Sequence, residues 1–154
     1  MITPLSTDEL ALLAQSTFAD TAFLLTELAP EPHGAEADCL CAVIGFEAEV
    51  RGRLVLAAST ALGAQLAADM LCVEPNDEQA VAQAGGALAE LANVFAGVLI
   101  PRLFGENGEW ALGLPRVLLA EPPLGSGEET RGFTLVSDAG YPIRVELVLE
   151  QQTN

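Results

Sequence analysis

Five residues, Gln83, Gly86, Glu90, Asn93 and Gly97, recur at spacings of three, four, three and four. In an α-helix that spacing places all of them on one stripe. The bulky apolar residues of the same segment, Leu88, Leu91, Phe95, Val98 and Leu99, lie largely off it. One face is therefore predicted to enter a core. The other presents a carboxylate and a carboxamide between two glycines. Glycine inside a helix costs about 0.5–1 kcal/mol relative to alanine, but its missing side chain leaves room for another backbone. A solvated helix face usually mixes Lys, Glu and Arg, and this one does not.

The chemistry open to such a pair is limited. A carboxamide offers both a donor and an acceptor, so Asn93 can hold a water in a fixed orientation, although it is no strong base. That suits a reaction whose difficulty is positioning. Phosphoryl transfer is one, because its loose transition state needs little proton abstraction. Glu90 can pair with a lysine or arginine on a partner and so fix the register. Little other machinery is visible. His33 is the single histidine, the chain has no lysine, and no GxxxxGK[ST] phosphate loop occurs. A metal ion or phosphate would have to arrive on the partner. Taken by itself, a Glu and an Asn three residues apart also occur in many helices as a plain solvated face.

The elements that must position this stripe follow from periodicity. Asn76 or Asp77 caps a helix expected over about 77–104, weakened at the Gly85–Gly86 pair and expected to bend or stop near Pro101. An N-terminal helix is expected over about 7–28, capped by Ser6 or Thr7, with Leu10, Leu13, Thr17, Leu24 and Leu28 near one stripe. Residues 29–37 form a turn-rich connector. Residues 38–58 read as a hairpin with its turn near Arg51–Gly52. Thr60 caps a helix to about Leu71, with Leu62, Leu66 and Met70 at helical spacing. The remainder reads as strands: 110–121 broken at Pro115, a loop over 121–131, then two strands joined near Asp138–Gly140. In the last strand Ile143, Val145, Leu147 and Leu149 alternate with Arg144, Glu146 and Val148. Long helices on a largely antiparallel sheet make an α+β fold, expected as one domain over 1–154.

Bulk composition narrows the function classes. The chain has 22 acidic and six basic residues, a formal charge of -16. That argues against nucleic acid and against anionic membranes. The longest strongly apolar run, Val94 to Pro101, is too short to cross a bilayer. The N-terminus lacks the charge and apolar block of a signal peptide, so a cytoplasmic protein is expected. Cys39, Cys41 and Cys72 are too few for a disulfide framework, and no second cysteine pair completes a metal site. Buried free thiols are the expectation.

The segment Glu90-Leu-Ala-Asn-Val-Phe-Ala-Gly97 resembles the E-x-x-N-x-x-x-G helix signature of the CheC/CheX/FliY chemotaxis phosphatases. Its context is similar as well. G-x-L-V-L (52–56) precedes L-A-A-x-M-L (66–71), E-P-N-D-E (74–78) leads into the signature, and G-L-P-R-V-L-L-A-E (113–121) resembles the family's proline-containing strand. The likeness runs from about Cys41 to Glu150. It implies a CheX-like fold and hydrolysis of the aspartyl phosphate of a CheY-like receiver, in chemotaxis or related two-component signalling. Asn93 would orient the attacking water and Glu90 would engage the receiver's lysine. Gln83, Gly86 and Gly97 would form the docking face, and the receiver would bring Mg²⁺. A single E-x-x-N favours the CheX type over the two-site CheC type. Gly86 departs from the family's frequent Asp or Ser. A homodimer is also implied, with strand 142–150 as a candidate edge. Two other readings are a binding module that has lost turnover, and a dimerisation unit packed through Gly86 and Gly97.

Overall fold

The computed structural model describes residues 4–29, 39–106, 108–119 and 127–150. Their elements are α1 (Thr7–Ala22), β1 (Thr26–Leu28), β2 (Cys39–Glu47), β3 (Arg51–Ser59), α2 (Thr60–Leu71), α3 (Glu78–Ala82), α4 (Ala84–Phe104), β4 (Ala111–Leu112), β5 (Arg116–Leu118), β6 (Glu128–Ser137) and β7 (Pro142–Glu150). His33 and most of the 29–37 connector lie outside the described residues. The strands form one sheet in the order β1-β6-β7-β3-β2, with β4 and β5 both pairing the far side of β2. Every pairing is antiparallel. The α+β expectation therefore holds, with a large antiparallel sheet.

The core explains why α4 sits where it does. Alternate residues of β2, β3 and β7, among them Ile44, Leu54, Leu56, Val145 and Leu147, are buried in one cluster with Leu88, Leu91, Phe95 and Leu99 of α4. The β2–β3 register sets Ala42 against Leu56 and Ile44 against Leu54, so one face of the hairpin is continuously apolar. Burial of a large aliphatic or aromatic side chain contributes about 1.5–3 kcal/mol, so the seat of α4 is dictated mainly by this stripe.

Several local expectations are corrected. The N-terminal helix ends at Ala22, not near residue 28. Ser6 caps its start, with its Oγ accepting from the Glu9 N–H at 3.1 Å. Phe23 closes it in the left-handed conformation (φ 53°), and the Phe18 carbonyl accepts from the backbone N–H of Phe23 and of Leu24. The chain then turns into β1, where Thr26 pairs Ser137 and Leu28 pairs Leu135. Leu24 continues the helical spacing by coincidence and is buried from outside the helix, while Leu28 is exposed.

The hairpin turns over 48–50, where the Ala48 N–H donates to the Val50 carbonyl, rather than at Arg51–Gly52. Gly52 belongs to β3 and faces Phe46 and Leu149. A Cβ on it would lie 2.4 Å from the Val148 carbonyl oxygen, so close packing requires this glycine, not a turn. Ser59, not Thr60, caps α2, accepting from the Leu62 N–H at 3.2 Å.

The long helix expected over 77–104 is divided. Asp77 caps α3, and Gln83 interrupts the helix (φ -96°, ψ 7°) before α4 begins. The glycine pair expected to weaken it lies inside α4. Pro101 sits in the last turn of α4, and the helix stops at Phe104. At 21 residues, α4 is long and apolar enough by those two measures to cross a membrane, which the contiguous run at 94–101 had not suggested. Most of its apolar residues are buried, against the sheet and against α1 and α2. Strand β6 starts at Glu128, inside the expected 121–131 loop. Finally, β7 pairs β6 on one side and β3 on the other. It is an interior strand, so it offers no edge to a second copy.

Candidate functional site

The site is built on α4, whose inward side is fixed by Leu88, Phe95 and Leu99, each 0–1% exposed. Helical geometry then turns residues 83, 86, 90, 93 and 97 outward, and all five are exposed. Glu90 and Asn93 thus project side by side, one turn apart, from the surface. Among the described residues neither side chain hydrogen-bonds or ion-pairs with the rest of the protein. Their polar atoms face solvent and are available to an incoming group.

The ridge is low at both ends. Nothing lies within 4 Å of where a Cβ on Gly97 would stand. Over Gly86, the Gln83 Oε1 lies 3.3 Å from the same notional atom, so the Gln83 carboxamide lies over the bare backbone. Gln83 stands at the break between α3 and α4. Neighbouring α2 is drawn against the start of α4 at Gly63, where a Cβ would come within 2.8 Å of the Ala84 carbonyl oxygen. That close approach places Met70, at the end of α2, beside Glu90.

Glu90 stands between two apolar clefts. One, of about 510 Å³, is lined by Met70, Leu71, Gln79, Gln83, Gly86 and Glu90. The other, of about 380 Å³, is lined by Phe23, Leu66, Asp69, Met70, Glu90 and Val94. Met70 shares the helical spacing of Leu62 and Leu66, but it is 61% exposed while they are buried. Val98, expected on the core stripe of α4, is 37% exposed. Sequence reasoning did not place Phe23 at the site. Its position depends on where α1 stops, and no residue preference signals a left-handed phenylalanine.

The remaining candidates do not join this group. Cys41 is buried within the sheet, Cys39 is partly buried and Cys72 is exposed. Among the described residues no three His, Cys, Asp or Glu side chains cluster as a metal ion requires. The arrangement therefore offers the Glu90 carboxylate, the Asn93 carboxamide and two largely apolar hollows, whose linings add Asp69, Gln79, Gln83 and the Thr21 hydroxyl but, among the described residues, no histidine or cysteine. A carboxamide of this kind can hold a water by donating and accepting at once, and a carboxylate beside it can pair with a cation.

The fold is similar to several solved structures. A chain of the CheX–CheY–BeF₃–Mg²⁺ complex from Borrelia burgdorferi superposes with a TM-score of 0.75 at 17% identity, covering 96% of this chain and all of that one. The chemotaxis protein CheX of Desulfovibrio desulfuricans gives 0.69 at 12% identity, with 92% and 96% covered. Thermotoga maritima FliY gives 0.58 at 14% identity, with 97% and 92% covered. At these identities the likeness establishes the fold. No curated protein sequence matches the chain. The profile of the family described as chemotaxis phosphatase CheX, however, matches residues 40–128, more than half of the chain and the whole of the Glu90–Gly97 ridge. This protein belongs to the CheX family.

Proposed function

We propose that the protein hydrolyses the aspartyl phosphate of a CheY-like receiver, with Asn93 and Glu90 as its catalytic pair. The observation that carries this reading is the joint exposure of those two side chains on an open ridge of α4. The Asn93 carboxamide holds a water in line with the phosphorus. The water oxygen forms the new P–O bond as the bond to the receiver's aspartate breaks. The aspartate leaves as a carboxylate, phosphate departs, and the water's protons pass to phosphate and solvent. Glu90 pairs with the receiver's lysine and fixes the approach. Mg²⁺ held by the receiver would neutralise charge on the phosphoryl oxygens. The membership of the CheX family and the fold shared with a CheX–CheY complex support the choice of substrate.

The test is single-turnover decay of a receiver phosphorylated by a small phosphodonor in Mg²⁺. The wild-type protein accelerates the decay, and Asn93→Ala removes at least ~10²-fold of that acceleration, the loss typical when a reacting group loses its positioning. Failure of the wild type to accelerate any receiver of its own organism rejects the reading. Gly86, bare where a polar side chain would add a contact, favours a second reading: a receiver-binding module without turnover. Equal binding by wild type and Asn93→Ala, with no hydrolysis by either, establishes that reading instead.

A further inference from the structure

Phe23 is costly twice over. A bulky residue in the left-handed region is strained, and that position ordinarily belongs to glycine or asparagine. Phe23 nevertheless adopts φ 53° there and leaves its side chain 88% exposed. Met70 is a second large apolar side chain in solvent, and it borders both clefts that flank Glu90. Single exposed apolar residues are ordinary, but these two line hollows that converge on one carboxylate. Among the described residues no basic side chain lines either cleft, whereas Asp69 and Glu90 do. The surface is thus apolar in its floor and acidic at its rim.

We propose that Phe23 and Met70 form the apolar anchor of the receiver interface. The two clefts take apolar side chains of the receiver that stand beside its lysine, while that lysine meets Glu90. The inference rests on the proposed substrate, and it adds residues that act on affinity rather than on the chemical step. The occupant is fixed by two features. The clefts are continuous with Glu90, and their acidic rim selects a partner with basic groups around an apolar projection. Apolar pockets at the centre of an interface, enclosed by polar contacts, are where binding energy concentrates.

The experiment uses the full chain with receivers of the same organism, activated by beryllium fluoride and Mg²⁺ for binding and phosphorylated for turnover. Phe23→Asn keeps a residue suited to the left-handed conformation and removes the ring. Met70→Gln keeps length and helix propensity. Each is expected to raise Kd and KM for the receiver by about tenfold, with kcat within about twofold and no fall in Tm. Turnover by the wild type with Kd unchanged in both variants overturns the anchor and leaves the Glu90–Asn93 reading intact. Binding without turnover, weakened in both variants, supports the anchor while the hydrolytic reading fails. No binding of any receiver sinks both. A wild-type dimer that either substitution dissociates assigns the clefts to a second copy and overturns the proposal.

Discussion

Phe18 of α1 meets Phe95 of α4 edge to face, with ring centroids 5.7 Å apart and planes at 72°. The contact lies beneath the ridge, two residues beyond Asn93 and on the opposite side of the helix. It pins α1 across α4, and the end of α1 then delivers Phe23 to the clefts. The aromatic pair therefore ties the end of α1, and with it Phe23, to α4, whose own seat is set by the core it shares with the sheet.

Phe95→Ala should be a stability mutation. Phe95 is 1% exposed, and truncating a buried phenylalanine costs about 3–5 kcal/mol. Guanidinium unfolding reads this directly. A cycle with Phe18→Leu should return a coupling of about 0.5–1.5 kcal/mol for the edge-to-face pair. Additive effects would mean that α1 is held to α4 by area alone.

Gly52→Ala should destabilise as well, by about 1–3 kcal/mol or more, the cost of overpacking. Its new methyl would stand 2.4 Å from the Val148 carbonyl oxygen and 2.5 Å from the Phe46 ring. Neither backbone nor ring can retreat within a central strand. A thermal melt that matches the wild type would show that β3 and β7 approach less closely than described.

These two positions illustrate what the chain's periodicities could and could not convey. Leu88, Leu91, Phe95 and Leu99 against Glu90 and Asn93 made both faces of α4 legible, because helical spacing alone assigns sides. The alternation of Ile143 through Leu149 likewise revealed a strand with a buried face. It could not reveal that β7 lies between β6 and β3, because strand order depends on partners remote in sequence. Gly52 looks like a turn residue in the sequence, since a close approach between strands leaves no local trace. The helix breaks at Gln83, just before the glycine pair and next to the Ala84 carbonyl that Gly63 of α2 approaches closely, and such a contact between elements remote in sequence leaves no local signal. The clefts beside Glu90 were invisible for the same reason: Met70 continues an apolar helical pattern, and only the placement of α1, α2 and α4 leaves it in solvent.

Glu90→Gln should leave stability within about ±0.5 kcal/mol, because the side chain is exposed and has no partner among the described residues. Receiver affinity should fall, and its dependence on salt should become shallower than that of the wild type. A charge pair at an interface rim is screened over about 8 Å at physiological ionic strength, so removing one partner removes part of the salt effect. Titrations of an activated receiver at low and high NaCl measure both quantities. Parallel salt slopes for the two proteins would show that Glu90 meets no cation.

Gly97→Ala should move stability and function in opposite directions. The helix interior there is exposed, and a Cβ would meet nothing within 4 Å, so the substitution should stabilise α4 by about 0.5–1 kcal/mol. A residue that merely occupied a solvated face would give that gain and nothing else. On a docking ridge the added methyl occupies the space into which a partner's backbone must come, and receiver affinity drops while the melting temperature rises. Affinity equal to the wild type in a more stable protein would remove Gly97 from the interface and confine docking to the part of the ridge between Gln83 and Asn93.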